Sequence, residues 1–298
     1  MRIAGRLAST GAVFGGILML GTVLWAAPAA PAAQAAVRAP AASGPTGVAA
    51  PWALLANATT GKWLWSRSPS VERPMGSITK VMTAYVVIEA GHLDQVITVP
   101  KGIVAYDIKF DASTAGLVPG EKLTARQLLY AMLLPSGCDA AYTLAQAYGG
   151  WNKFVATMNA TAKKLGLTRT HFTDASGLPN PGQYTTYSTA RDLVRLGLDA
   201  MKLPLLRQIV ATRTYRLPAS GSHRAHTWVN RNTLLTQYPG AIGIKPGGTS
   251  AAGACLLFEA QRSGKILIGV VLHSSAWWLN GNVSDAVKVL NWGFAHYS

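Results

Sequence analysis

An α+β fold, with an antiparallel sheet assembled from both ends of the chain and a mostly helical insertion between them, is what this sequence predicts. Three observations carry it. Strand-like runs open the region from residue 51, helical spacing dominates the middle of the chain, and short apolar runs return from residue 213 before one last helix. A site is expected in the cleft between sheet and helices.

The N-terminus reads as a separate device. Arg2 and Arg6 precede an uncharged stretch from Leu7 to Ala36 that contains AVFGGILMLGTVLW and ends in Ala33-Gln34-Ala35 ahead of Ala36 and Val37. A basic start, a short apolar core and a small-x-small site describe a secretory signal peptide over residues 1–36. The 17 uncharged residues Gly11 to Ala27 stand near the lower limit for a membrane span, so an uncleaved N-terminal tether is the competing reading. Residues 37–50, VRAPAASGPTGVAA, have linker composition. The folded domain is expected over 51–298.

Within it, PWALLANATTGKWLWSR reads as a hairpin turning on Thr59-Thr60-Gly61. In MGSITKVMTAYVVIEAGHL, Gly76 and Ser77 precede a helix whose apolar positions Ile78, Val81, Met82, Tyr85 and Ile88 recur at helical spacing until Gly91. TARQLLYAMLLPSG, DAAYTLAQAYGG, WNKFVATMNATAKKLG and STARDLVRLGLDAM continue as helices. RTYRL, AHTWVN, AIGIK, AGACLLFEAQ and KILIGVVLH read as strands, the last two joined at Arg262-Ser263-Gly264. NVSDAVKVLNWGFAHY then spaces Val283, Val287, Leu290 and Phe294 for a helix laid on the sheet.

Composition narrows the function classes. Two cysteines, Cys138 and Cys255, do not make a disulfide scaffold, and whether they pair is left open by the sequence. A formal charge of +15 with only 12 acids suits an anionic exported environment, yet no nucleic-acid module is present. GAIGIKPGGTSAAG, Gly240 to Gly253, is no phosphate loop, because Lys245 precedes the glycines inside a strand pattern. His223 and His226 have no glutamate between them, which removes a zincin pair. They and the other histidines read as structural.

Ser77-Ile78-Thr79-Lys80 is the one Ser-x-x-Lys of the chain. A serine in the first turn of a helix meets the positive dipole end, and a lysine three residues later shares its face. A desolvated lysine there can act as base to the hydroxyl. Such a tetrapeptide is expected about once by chance, and its plain explanation is an N-cap serine beside a surface lysine.

Two further stretches change the weighing. Leu134-Pro135-Ser136-Gly137-Cys138-Asp139 lies at a junction between helices, and Lys245-Pro246-Gly247 lies on a late strand. In this order, and with HFTDASGLPN and YSTARDL around them, these segments resemble the low-molecular-mass penicillin-binding proteins of the serine D-alanyl-D-alanine carboxypeptidase family. The resemblance runs from Trp52 to about Tyr297. It implies the β-lactamase/transpeptidase-like fold, a cell-envelope location, peptidoglycan stem peptides as substrate, β-lactam antibiotics as covalent inhibitors, and a monomer that needs no metal or cofactor.

Carried over by position, the resemblance makes Ser77 the nucleophile, Lys80 its proton acceptor and Ser136 a relay to the departing amine. Cys138, Lys245, Gly248 and Thr249 become substrate-binding residues, with Ser77 and Gly248 N–H groups as the oxyanion hole. Two positions depart from the family pattern. Cys138 stands where asparagine is usual, and Pro246 where threonine is usual, removing a hydroxyl that Thr249 is expected to replace in part. A class A β-lactamase is disfavoured, because no glutamate lies between Glu121 and Glu259. A slow penicillin sensor or cell-wall-binding domain is the other alternative.

Overall fold

Both faces of the sheet are covered, and that single circumstance explains most of the sequence pattern. The computed structural model describes residues 44–279 and 281–297, with Gly11 and Gly16 besides; all but these two glycines fall in one compact unit, Ala42–Ser298. Apart from those two glycines, the predicted signal peptide lies outside the described residues. Of the predicted linker, residues 44–50 are described, and Val48 and Ala50 are buried. Backbone N–H groups of Ala49 and Ala50 donate to the Asp285 carboxylate at 3.0 and 2.8 Å, so the folded unit begins before Pro51.

In chain order the elements are β1 (Trp52–Asn57), β2 (Trp63–Arg67), a 3₁₀ turn (Gly76–Thr79), α1 (Lys80–Ala90), β3 (Val96–Thr98), α2 (Gly102–Phe110), β4 (Lys122–Thr124), α3 (Ala125–Leu133), α4 (Cys138–Ala147) and α5 (Trp151–Lys164). After these come α6 (Ala190–Ala200), α7 (Pro204–Ala211), β5 (Thr214–Leu217), β6 (His226–Val229), α8 (Leu234–Gln237), β7 (Ala241–Thr249), β8 (Gly253–Arg262), β9 (Lys265–Leu272), a second 3₁₀ turn (Trp277–Leu279) and α9 (Gly281–His296).

The main sheet has five strands in the order β2-β1-β9-β8-β7, antiparallel throughout. It is therefore built from both ends of the chain, as predicted. The strands RTYRL and AHTWVN do not join it: β5 and β6 pair with each other as a separate two-stranded ribbon. Nothing in their alternation distinguishes a ribbon from a sheet strand, because both show period two. The β8–β9 turn places Ser263 and Gly264 at φ 49° and 77°, the left-handed pair that a two-residue hairpin needs.

Successive residues of the central strands enter different cores. Leu54, Leu257, Ile268 and Val270 face the helical insertion, whereas Leu55, Leu256, Phe258, Leu267 and Val271 face α9 with Val283, Ala286, Val289 and Leu290. Strands buried on both sides read as continuous apolar runs such as KILIGVVL. Helix α1 goes further: Val81, Met82, Thr83, Ala84, Val86 and Val87 are all buried, so the expected stripe is nearly a full circumference. It runs through the middle of the domain, against α3, α4, α5, α6 and α7. A helix buried on all sides is held by packing rather than by amphipathicity.

Candidate active site

The N-terminus of α1 is carried to the edge of the sheet by glycine. Gly76 has φ 53°, and a Cβ built there would stand 2.6 Å from Gly248 N on β7. Only glycine lets the two backbones approach so closely. Ser77 thus sits in the 3₁₀ turn rather than in the first α-helical turn, no side chain caps that turn, and the α-helix starts at Lys80. The N-cap reading of Ser77 fails on this geometry.

Lys80 is fully buried beneath the cleft, yet its ammonium is saturated. Nζ donates to Ser77 Oγ at 2.9 Å, to Cys138 Sγ at 3.3 Å and to Ser176 O at 3.0 Å. Three donors meet three acceptors, none of them a carboxylate. Cys138 is held by α4, whose first turn it opens, with its N–H on Ser113 O at 2.8 Å. Cys138 and Cys255 are both free and buried, so they do not pair. Burial pushes the Cys255 thiol up to about 12.

Ser136 precedes α4 in a left-handed conformation, φ 67°, which is uncommon outside glycine and costs on the order of 1 kcal/mol. Two bonds hold it: Ser113 Oγ donates to Ser136 O at 2.8 Å, and Gly137 N donates to Ala131 O at 3.2 Å. Strain of this kind at a residue lining a cleft is a mark of function.

Lys245, on edge strand β7, is 1% exposed. Its Nζ donates to Pro246 O at 3.1 Å. Burial holds its pKa well below the usual lysine value, with the nearby charges of Lys80 and Arg231 acting in the same direction. Pro246 lies opposite Leu256 on a strand with one neighbour, a position where a missing N–H is tolerated. Thr249 Oγ1 accepts from Ala252 N at 3.1 Å.

These residues converge. Ser77, Ser136, Cys138, Lys245, Gly248 and Thr249 all line one cleft of about 900 Å³, and Lys80 reaches it from below through Ser77. The residues that the resemblance assigns to the site therefore lie at one place. Among the described residues no group of three or more His, Cys, Asp or Glu is placed to hold a metal ion, and no helix is long and apolar enough to cross a membrane. His226 is structural: its Nε2 lies 3.1 Å from Glu121 Oε1.

Sequence reasoning missed what holds the floor. The Asp174 carboxylate accepts from Ser176 N, Gly177 N and Leu178 N at 2.7, 2.8 and 3.2 Å, from Ser176 Oγ at 2.8 Å and from Tyr106 OH at 2.8 Å. That bracket fixes the turn that presents Ser176 O to Lys80. Its signal was Asp-Ala-Ser-Gly, an aspartate able to bond the backbone two and three residues on. Gly177 belongs to the same turn at φ 86°, where any Cβ would collide with Gly76 O. On α2, Asp107 has a buried Oδ1 without a hydrogen-bond partner. Burial, reinforced by Asp139 and opposed by Lys80, raises its pKa to about 7.

A nucleophilic hydroxyl hydrogen-bonded to a buried amine, with a second serine and the buried Lys245 lining the same cleft, can carry acyl transfer without a metal. Comparison with known proteins points the same way. A family model described as D-alanyl-D-alanine carboxypeptidase (peptidase S11) matches residues 37–276. The chain is 40% identical over 303 residues to the D-alanyl-D-alanine carboxypeptidase of Streptomyces sp. (strain K15), covering 97% of this chain and 98% of that one. It is 37% identical over 257 residues to D-alanyl-D-alanine carboxypeptidase DacB2 of Mycobacterium tuberculosis, covering 84% of each.

Solved structures agree. The crystal structure of the Streptomyces K15 DD-transpeptidase matches with a TM-score of 0.79 at 40% identity, over 85% of this chain and 99% of that chain. The D-alanyl-D-alanine carboxypeptidase of Mycobacterium tuberculosis H37Rv matches with a TM-score of 0.76 at 36% identity, over 87% of this chain and 95% of that chain.

Proposed function

The chain belongs to the D-alanyl-D-alanine carboxypeptidase family, peptidase S11, and from that premise we propose how its own residues remove the terminal D-alanine of peptidoglycan stem peptides. The observation that carries the proposal is the 2.9 Å hydrogen bond between Lys80 Nζ and the Ser77 hydroxyl, in a cleft that also holds Ser136 and Lys245.

Ser77 Oγ attacks the carbonyl carbon between the two D-alanines while its proton passes to Lys80 in the neutral form. The carbonyl oxygen becomes an oxyanion, received by the N–H groups of Ser77 and Gly248. The C–N bond then breaks, and Ser136, with Lys245 behind it, delivers a proton to the departing D-alanine nitrogen. An ester on Ser77 remains. Water attacks it in the carboxypeptidase reaction, or an amine of a second peptide in the transpeptidase reaction, and Ser77 recovers its proton.

Lys245 and Thr249 receive the substrate's terminal carboxylate, and Cys138 faces its peptide group, where a thiol gives weaker hydrogen bonds than an amide. Burial holds the Lys245 pKa down and an arriving carboxylate pushes it up, which couples binding to protonation. β-lactams acylate Ser77 by the same attack. The N-terminal segment exports the chain into the cell envelope, where it acts as a monomer, either freed by cleavage or tethered.

Labelling with a fluorescent penicillin, combined with D-alanine release from a defined pentapeptide, tests the reading. Both are expected in the wild type and neither in Ser77→Ala. Labelling without release would support a penicillin sensor instead, and no labelling at all would sink the assignment of Ser77.

A further inference from the structure

The cleft has a charge polarity that the acyl-transfer steps leave unused. Two cations line it, Lys245 and Arg231, and its only lining acid is Asp111. Asp111 closes α2 as its C-cap in the left-handed conformation, φ 46° and ψ 52°, with its N–H on Ile108 O. The turn made there delivers Ser113, two residues later, onto Ser136 O through the 2.8 Å bond already described. Two residues span at most about 7 Å, so the Asp111 backbone stands within that reach of Ser113, and both residues line the same cleft as Ser136.

Its surroundings leave the carboxylate unengaged. Among the described residues it accepts no hydrogen bond and joins no ion pair. The adjacent cation, Lys109, lies instead over the Phe110 ring, 5.0 Å from its centroid. Asp107, one turn earlier, is of like sign. In a chain whose Lys and Arg outnumber its acids 27 to 12, the cleft is thus lined by one carboxylate, in no ion pair among the described residues, and two cations.

We propose that Asp111 is a subsite for an ammonium group on the peptide bound in the cleft, so that the enzyme selects peptides with a carboxylate at one end and an ammonium further back. The inference rests on the reading above, in which Lys245 takes the carboxylate. The ammonium can come from the side chain of the peptide being cleaved or from the amine of a second peptide that accepts the acyl group. An exposed charge pair of this kind changes kcat/KM by up to about fivefold, and less as salt is added.

Two donor peptides ending in L-lysyl-D-alanyl-D-alanine test it, one with a free and one with an acetylated side-chain amine. Wild-type enzyme is expected to prefer the free amine by about fivefold. Asp111→Asn, which keeps the left-handed backbone because asparagine tolerates it, should bring the ratio to about one, and Asp111→Glu should retain it. A ratio cancels any general loss of folded enzyme. In a second arm, the acetylated donor is supplied with a lysine-containing tripeptide as acceptor, and transfer is measured against hydrolysis. A change confined to this arm assigns Asp111 to the acceptor; no change in either arm overturns the inference. Absence of D-alanine release from both donors in wild type would instead remove the reading of Ser77, and this inference with it.

Discussion

Lys80 Nζ and Ser77 Oγ are 2.9 Å apart, and the lysine reaches the serine from a fully buried position with no carboxylate among its hydrogen-bond partners. With Ser77 Oγ, Cys138 Sγ and Ser176 O as its three partners, Lys80 is within hydrogen-bond reach of the proton that a base for Ser77 must take.

Replacing Lys80 by a neutral residue of similar length should therefore separate chemistry from folding. In Lys80→Met the base is lost but no unpaired charge is buried. Acylation by penicillin is expected to slow by about a thousandfold, the middle of the usual range for general base catalysis. Thermal stability should hold or rise, since burying an ammonium is costly. A parallel fall in melting temperature would show that Lys80 is chiefly structural.

Glycine at position 177 is required by space as well as by φ. Its missing Cβ would meet Gly76 O and, at 2.6 Å, Thr79 Oγ1. Gly177→Ala must push the turn that carries Ser77, so it is expected to destabilise the domain by about 2–3 kcal/mol and to impair acylation. Gly61→Ala serves as control: φ is 71° there, but nothing lies within 4 Å of the added carbon. Only the backbone cost of about 1 kcal/mol should appear, with acylation intact. Urea midpoints and penicillin labelling of both variants decide it.

Asp107 makes stability depend on pH. Its pKa is raised from 3.8 to about 7, so between these values the folded state binds a proton that the unfolded chain has released. Stability is therefore lost as pH rises from about 4 through 7 and levels off above. Asp107→Asn removes that loss. It should be more stable than wild type at pH 8 by about 1 kcal/mol, a figure discounted for a carboxyl that is half exposed, with little difference at pH 4. Melting curves at the two pH values measure the difference, and an equal shift at both would exclude the linkage.

Much of the molecule was readable before any coordinates. Ser77, Lys80, Ser136 and Lys245 lie in short local patterns, and the hairpins declared themselves through Thr59-Thr60-Gly61 and Ser263-Gly264. What escaped depends on distant residues. Helix α2 carries Tyr106 to the Asp174 turn, yet neither residue's sequence neighbours hint at the other. The spacing of α1 marked a helix but not that it is buried nearly all round, which depends on the helices packed against it. Helix α7 holds Arg207, whose Nη1 meets the buried Glu259 on β8 at 2.7 Å, a pairing visible only once the two elements touch. Whether a β-strand joins the main sheet or, like β5 and β6, a ribbon of its own is set by where its neighbours go.

The sheet order has a consequence for how the molecule comes into being. Strand β1 has β9 as one neighbour, Leu54 lying opposite Val270, and Ala50 is tied to Asp285 near the far end of the chain. A nascent chain that has delivered only its first half owns one hairpin and several helices but no surface on which to lay β1. Contacts this far apart in sequence form late and slowly. During synthesis the leading strand, Leu54 and Leu55 included, must stay exposed until β9 and the final helix arrive, so a holding chaperone should matter more to this protein's yield than to one whose sheet is closed by neighbouring segments.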